Sequence, residues 1–178
     1  MSYTKTTGVI KFSYRRDTLF NDISLMSNYM CKNMTTKDGN SLTDDFAISD
    51  DEEDLVNVCI RTVLPDIYES LIKITTAVVP AFDDDDAVTT GAGTDSETTT
   101  HYVWFKIQDN ENYNNNVLSM VDASLYNCLK IGTLKVIYSK LVQPELFNVC
   151  SVRFMSELFK LKQRLFQLKK KSVSSNLN

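Results

Sequence analysis

Apolar residues recur along this chain with two different periods, and the changes of period mark out its elements. Between Gly8 and Tyr14 they alternate (Val9, Ile10, Phe12, Tyr14), which predicts a short strand. From Asp17 the spacing becomes three and four (Leu19, Phe20, Ile23, Met26, Tyr29, Met30, Met34), which predicts an amphipathic helix over residues 18–33 with Asp17 as its N-cap. The methionines on this stripe are read as core filler, because the flexible thioether packs into irregular gaps. Lys37-Asp38-Gly39-Asn40 signals a turn, and Ser49-Asp50-Asp51-Glu52 has the spacing of a capping box. Behind it Leu55, Val56, Cys59, Ile60, Val63, Leu64, Ile67, Tyr68, Leu71 and Ile72 form a long apolar stripe, so residues 51–76 read as the central helix. Pro65 is expected to bend or interrupt this helix near Arg61 to Leu64, because it removes a backbone hydrogen bond and crowds the preceding turn.

The stretch from Thr75 to Thr100 changes character, with Pro80, four consecutive aspartates, Gly91, Gly93 and many threonines; a loop or mobile hairpin tip is expected there. His101 to Gln108 is the clearest strand, dense in aromatic and β-branched residues, and its partner is either residues 77–82, as a hairpin, or the N-terminal strand. A third helix runs from about Val117 or Asp122 to Leu141, with Leu118, Val121, Leu125, Cys128, Leu129, Val136 and Ile137 inward. Gly132 within it is a weak point or a close helix crossing. Pro144 suits the first turn of a fourth helix that ends near Lys170. The fold class is therefore mainly α: a bundle of about four helices (18–33, 51–76, 120–141 and 145–168) carrying a small antiparallel β-hairpin or sheet. Residues 1–178 read as a single domain, with 83–100 an acidic, Thr- and Gly-rich flexible loop and 172–178 a flexible tail. Either Tyr102 or Trp104 is expected to be partly exposed.

Charge adds what periodicity cannot. Residues 38–54 hold Asp38, Asp44, Asp45, Asp50, Asp51, Glu52, Glu53 and Asp54 with no base, whereas the fourth helix carries Arg153, Lys160, Lys162, Arg164, Lys169, Lys170 and Lys171 against Glu157. A net charge of −4 hides this polarity. It points to docking between proteins rather than to chemistry on a substrate. The fourth helix also has more apolar residues (Phe154, Leu158, Phe159, Leu161, Leu165, Phe166, Leu168) than one core stripe needs. It is either a solvated basic face over a single stripe or a helix with one face for its own bundle and another for a partner. Lys160, Lys162, Arg164, Lys169, Lys170 and Lys171 are the candidate docking residues. Asp44, Asp45, Asp50, Asp51 and Glu53 are the candidate acidic surface between subunits.

No enzyme, cofactor or metal site is expected. His101 is the only histidine and would have to serve a nucleophile from a strand. Asp83 to Asp86 lacks the glycine and terminal glutamate of an EF-hand loop, and Gly91-Ala92-Gly93 has Ser96 where a dinucleotide fingerprint needs its third glycine. Cys31, Cys59, Cys128 and Cys150 form no Cys-x-x-Cys pair and are expected to be free, buried thiols. The polar start, Met1 to Thr7, lacks a signal-peptide core, and no apolar run approaches the roughly 18–20 residues of a membrane span, so a soluble chain made in a cytoplasm is expected.

The first amphipathic helix, the acidic break Asp44-Asp45-Phe46-Ala47-Ile48-Ser49-Asp50-Asp51-Glu52-Glu53-Asp54 and the long helix opening Leu55-Val56-Asn57-Val58 resemble the opening of the small helical head–tail connector proteins of tailed bacteriophages, and among these the ring proteins of crAss-like phages. The resemblance covers residues 17–74 in pattern and the remainder in the order of its elements. It departs from the family at Pro65, in the loop from Asp83 to Thr100 and in the N-terminal strand. It implies a structural virion protein with no catalytic residues, made in the host cytoplasm and placed at the head–tail junction. There it would form a ring, typically twelvefold, touching the portal and neighbouring tail or ring proteins, around a channel through which DNA passes without sequence recognition and without contact with a membrane. The alternative from the residues is a helical adaptor or regulatory module using its basic last helix on an acidic partner or nucleic acid.

Overall fold

The computed structural model describes residues 3–32, 39, 46–81, 88–90, 98–110 and 113–169, with backbone alone at 50, 79, 81, 88–90 and 98–99. Four long helices dominate: α1 (Arg16–Lys32), α2 (Glu53–Ile72), α3 (Leu118–Lys140) and α4 (Pro144–Lys169). Strands β1 (Tyr3–Thr6), β2 (Val9–Arg15), β3 (Ala77–Ala81) and β6 (Tyr102–Gln108) form one antiparallel sheet in the order β1-β2-β6-β3, while β4 (Val88–Thr90) pairs with β5 (Thr98–Thr100). The mainly helical bundle with a small antiparallel sheet matches the expectation from periodicity.

The two partners proposed for the strand at 101–108 turn out to be compatible. β6 lies between them, with Phe12 opposite Phe105 on one side and Ala77 opposite Ile107 on the other. Alternation then separates the faces: Ile10, Phe12, Val103, Phe105 and Ile107 are fully buried against the helices. Tyr102 and Trp104 share the opposite face, as residues two apart must. Tyr102 is half-buried, and Trp104 is only 8% exposed, because Lys106 and Lys11 lie over its ring with their Nζ atoms 3.7 and 5.3 Å from the centroid. Pro80 sits in the edge strand β3, where a missing N–H is tolerated, and the register shifts between Val78 and Ala81. β1, polar in sequence, was not among the expected strands; a two-residue turn through Gly8 (φ 83°) folds it onto β2.

Local chemistry sets the helix ends. Ser49 N donates to Glu52 Oε2 at 2.8 Å, one arm of the capping box, and the acids that follow lie at the positive end of α2. Asp17 is not an N-cap. It falls inside the first turn of α1, where it accepts from Arg15 Nη2 at 2.5 Å and from the Thr18 amide at 2.6 Å. Pro65 does not interrupt α2: the helix runs unbroken from Glu53 to Ile72 with Pro65 inside it, on its exposed side. α2 ends at Ile72, short of residue 76, and Lys73 to Thr76 turn into β3.

The central helix is α3 rather than α2. Its buried residues (Leu118, Val121, Leu125, Leu129, Ile131, Leu134, Ile137 among them) surround the helix instead of forming one stripe, because α1, α2 and α4 all pack on it. Gly132 is a close crossing: a Cβ built there would lie 2.5 Å from Val63 Cγ1 of α2 and 2.8 Å from Phe154 Cε2 of α4. Buried polar contacts fix the remaining neighbours. Tyr14 OH of β2 donates to Asp122 Oδ1 at 2.9 Å, Tyr126 OH donates to Asp22 Oδ2 at 2.8 Å, and Ser27 Oγ lies 2.8 Å from Tyr138 OH. On α1 the core stripe is Leu19, Phe20, Ile23, Ser27 and Cys31, with Met26 and Met30 half-buried beside it, whereas Tyr29 points outward.

All four cysteines are free and buried, as expected. Burial pushes the Cys128 and Cys150 thiols up to about 12 and raises Tyr14, Tyr126 and Tyr138 as well. In each the folded chain favours the protonated form, so the stability these groups contribute is whole well below about pH 8.5, where an unfolded thiol is half ionised, and falls as pH rises through that value toward 12. The urea midpoint should therefore stay level from pH 7 to 8 and drop steadily above pH 9. In the native state at pH 8 a thiol-specific chromogenic reagent should release almost no signal, and the full signal of four thiols should appear only after unfolding. Rapid native labelling would contradict this packing.

Candidate docking surface on the last helix

The two faces of α4 differ in what they touch. Leu146, Cys150, Phe154, Leu158, Leu161, Leu165 and Leu168 recur at three and four and are buried against α3 and α2. On the far side Val152, Met155, Phe159 and Phe166 are 72, 65, 61 and 57% exposed. The apolar residues beyond the core stripe of α4 therefore face outward. Single exposed hydrophobes are ordinary, but a line of them along one helix opposite its core face is a surface suited to a partner.

The candidate bases do not act alike. Arg164 is half-buried and points back into the bundle, where Nη1 donates to the Met120 carbonyl at 2.9 Å and to Ser124 Oγ. Those bonds join α4 to the first turns of α3, so Arg164 is a structural tie rather than part of a free basic face. Lys160 is exposed and reaches Glu157 Oε1 at 2.6 Å on its own helix. Lys162 is half-buried and helps to hold the Glu69 carboxyl below its usual range, after the larger effect of the hydrogen bond from Lys73. Lys169 is exposed and borders a cavity of about 460 Å³ lined also by Ile72, Lys73, Ile74, Thr75, Thr76, Asn110 and Tyr113. Lys170 and Lys171 lie outside the described residues.

Of the acidic candidates, Asp51 and Glu53 are exposed where α2 begins. Asp44 and Asp45 lie outside the described residues, as do the four aspartates from Asp83 to Asp86, and of Asp50 only the backbone is described. The described acidic candidates therefore sit at the start of α2, whereas Lys160, Lys162 and Lys169 lie in the second half of α4, with Lys169 beside Ile72 and Lys73 at the other end of α2.

Sequence reasoning missed part of the exposed surface. Ile72 was assigned to the core stripe of α2 but is half-exposed, and Val58 and Pro65 share that outer side. A signal was present, because Val58, Pro65 and Ile72 repeat at seven while the core residues of α2 recur at three and four.

Among the described residues no helix is long and apolar enough to cross a membrane, and no three His, Cys, Asp or Glu side chains come together as metal ligation would require. Comparison with protein-family models, with curated proteins and with solved structures finds no match to the chain.

Proposed function

We propose that this chain is a structural assembly subunit and not an enzyme, and that it serves as a ring-forming head–tail connector between the portal and the tail of a phage particle, extending the DNA channel. The observation that carries the docking part of this reading is the exposed line Val152, Met155, Phe159 and Phe166, flanked by Arg153, Lys160, Lys162 and Lys169, on the side of α4 away from its core. Such a surface supplies apolar area for affinity and surrounding charge for register and encounter. The connector part rests on the resemblance of residues 17–74 to that family.

Native mass spectrometry of the full chain, alone and with a portal protein encoded beside it, tests the reading. The expected result is a closed multi-copy species of defined mass, alone or nucleated by the portal. A chain that stays monomeric and ignores the portal would overturn it in favour of an adaptor that works as a single copy on another acidic partner.

A further inference from the structure

The exposed line on α4 has a counterpart on α2. Val58 and Ile72 are 51 and 49% exposed, with Pro65, also exposed, midway between them. Val58, Pro65 and Ile72 repeat at seven; so do Val152, Phe159 and Phe166 on α4. A seven-residue spacing keeps positions nearly in line along a helix, and fourteen residues rise about 21 Å, so the two lines have the same length and pitch. Their flanks are opposite in sign. Bases border the α4 line, with Lys160 bonded to Glu157 at 2.6 Å, whereas Asp51, Asp54, Asp66 and Glu69 border the α2 line; the bases beside them are Arg61, Lys73, bonded to Glu69 at 2.5 Å, and Lys135 of α3, 4.0 Å from Asp66, so the excess is basic on α4 and acidic on α2. Both lines are exposed in one chain, so neither covers the other.

We propose that the occupant of the α4 surface is a second copy of this chain, whose α2 line receives it. This rests on the assembly reading above and deepens it by naming the receiving surface. Matched seven-residue apolar seams with opposite flanking charge are the pattern by which two helices select each other and their register. The two patches are proposed to meet once between any pair of copies, which makes the contact heterologous; a two-fold dimer, in which both pairs of patches meet at once, is the result that would contradict this. Each copy added leaves one α4 line and one α2 line free, so the contact repeats until the rotation closes a ring.

Two full-length charge-reversal variants test this. One has Arg153→Glu, Lys160→Glu and Lys169→Glu, which leaves Lys162 as the one base against three new acids beside the α4 line and so makes that surface acidic; the other has Asp54→Lys with Asp66→Lys, which makes the α2 surface basic. Each alone should assemble at least about 100-fold more weakly than the natural chain, because like charges then face each other. Mixed one to one they should assemble again, as oligomers with an even number of copies in which the two variants alternate, since every contact then joins unlike surfaces. Failure of the mixture, with the α4 variant alone defective, would overturn the α2 site while leaving α4 as a docking surface for a different protein. Unimpaired assembly of both variants would overturn both. If either variant melts below the natural chain, disulfide cross-linking decides instead. Ser156→Cys in one copy should bond Thr62→Cys in another while the native thiols stay buried, and absence of that cross-link in assembled material would overturn the proposal.

Discussion

Replacing Gly132 with alanine should lower stability by about 1–2 kcal/mol, although alanine is the better helix former, and leucine at the same position should cost about 3 kcal/mol or more. Helix propensity alone favours alanine by up to about 1 kcal/mol, so the sign depends on packing. A Cβ here would stand 2.5 Å from Val63 Cγ1 and 2.8 Å from Phe154 Cε2. Neither neighbour yields easily: valine is stiff at χ1, and the Phe154 ring is buried, with Lys135 Nζ 5.1 Å from its centroid. Three helices meet at this point, and overpacking there must move a backbone. Urea denaturation of Gly132→Ala, Val63→Ala and the double variant should show that truncating Val63 removes part of the alanine penalty, a coupling expected only of residues in contact. A stabilised Gly132→Ala chain would mean that the helices do not cross this closely.

Replacing Phe159 and Phe166 together with glutamate should reduce assembly by about 100-fold or more and leave thermal melting within about a degree of the natural chain. Both rings are more than half exposed, so folding gains little from them. An interface that covered them would lose about 2–3 kcal/mol of apolar burial and would have to desolvate two carboxylates as well. Sedimentation velocity beside a melting curve separates the two effects. A variant that unfolds would show that this face is internal structure, and one that assembles normally would show that it is only a solvated surface.

What could be read from the sequence follows from how each signal arises. Strict periodicity located all four helices and the strands β2 and β6, because a stripe at three and four or an alternation at two reports one-sided burial directly. β1 escaped because Tyr3 to Thr6 is an edge strand that buries little, so it carries no apolar alternation. α2 looked central because its stripe is clean, but a clean stripe marks a helix with one covered side; α3, covered on several sides, has a blurred pattern. Pro65 looked like a break because its missing N–H is visible in the sequence, whereas its place on the exposed side of α2 is not. At the candidate site, the surplus of apolar residues on α4 was legible and the separation of Phe159 and Phe166 from Phe154 and Leu158 followed from helical spacing. The fate of Arg164 was not legible, since its partners, Met120 and Ser124, are some forty residues away in sequence.

The most direct measurement of the central claim is oxidative footprinting of the outer face of α4 in dilute and in assembled chain. Met155, Phe159 and Phe166 should react readily in the dilute monomer and lose most of that reactivity on assembly. Leu25 on α1, 70% exposed and on a different helix, should serve as the reference and react equally in both states. Equal oxidation of Met155 and Phe159 in monomer and assembly would contradict the account, because the surface proposed to bind the next subunit would then still be open to water.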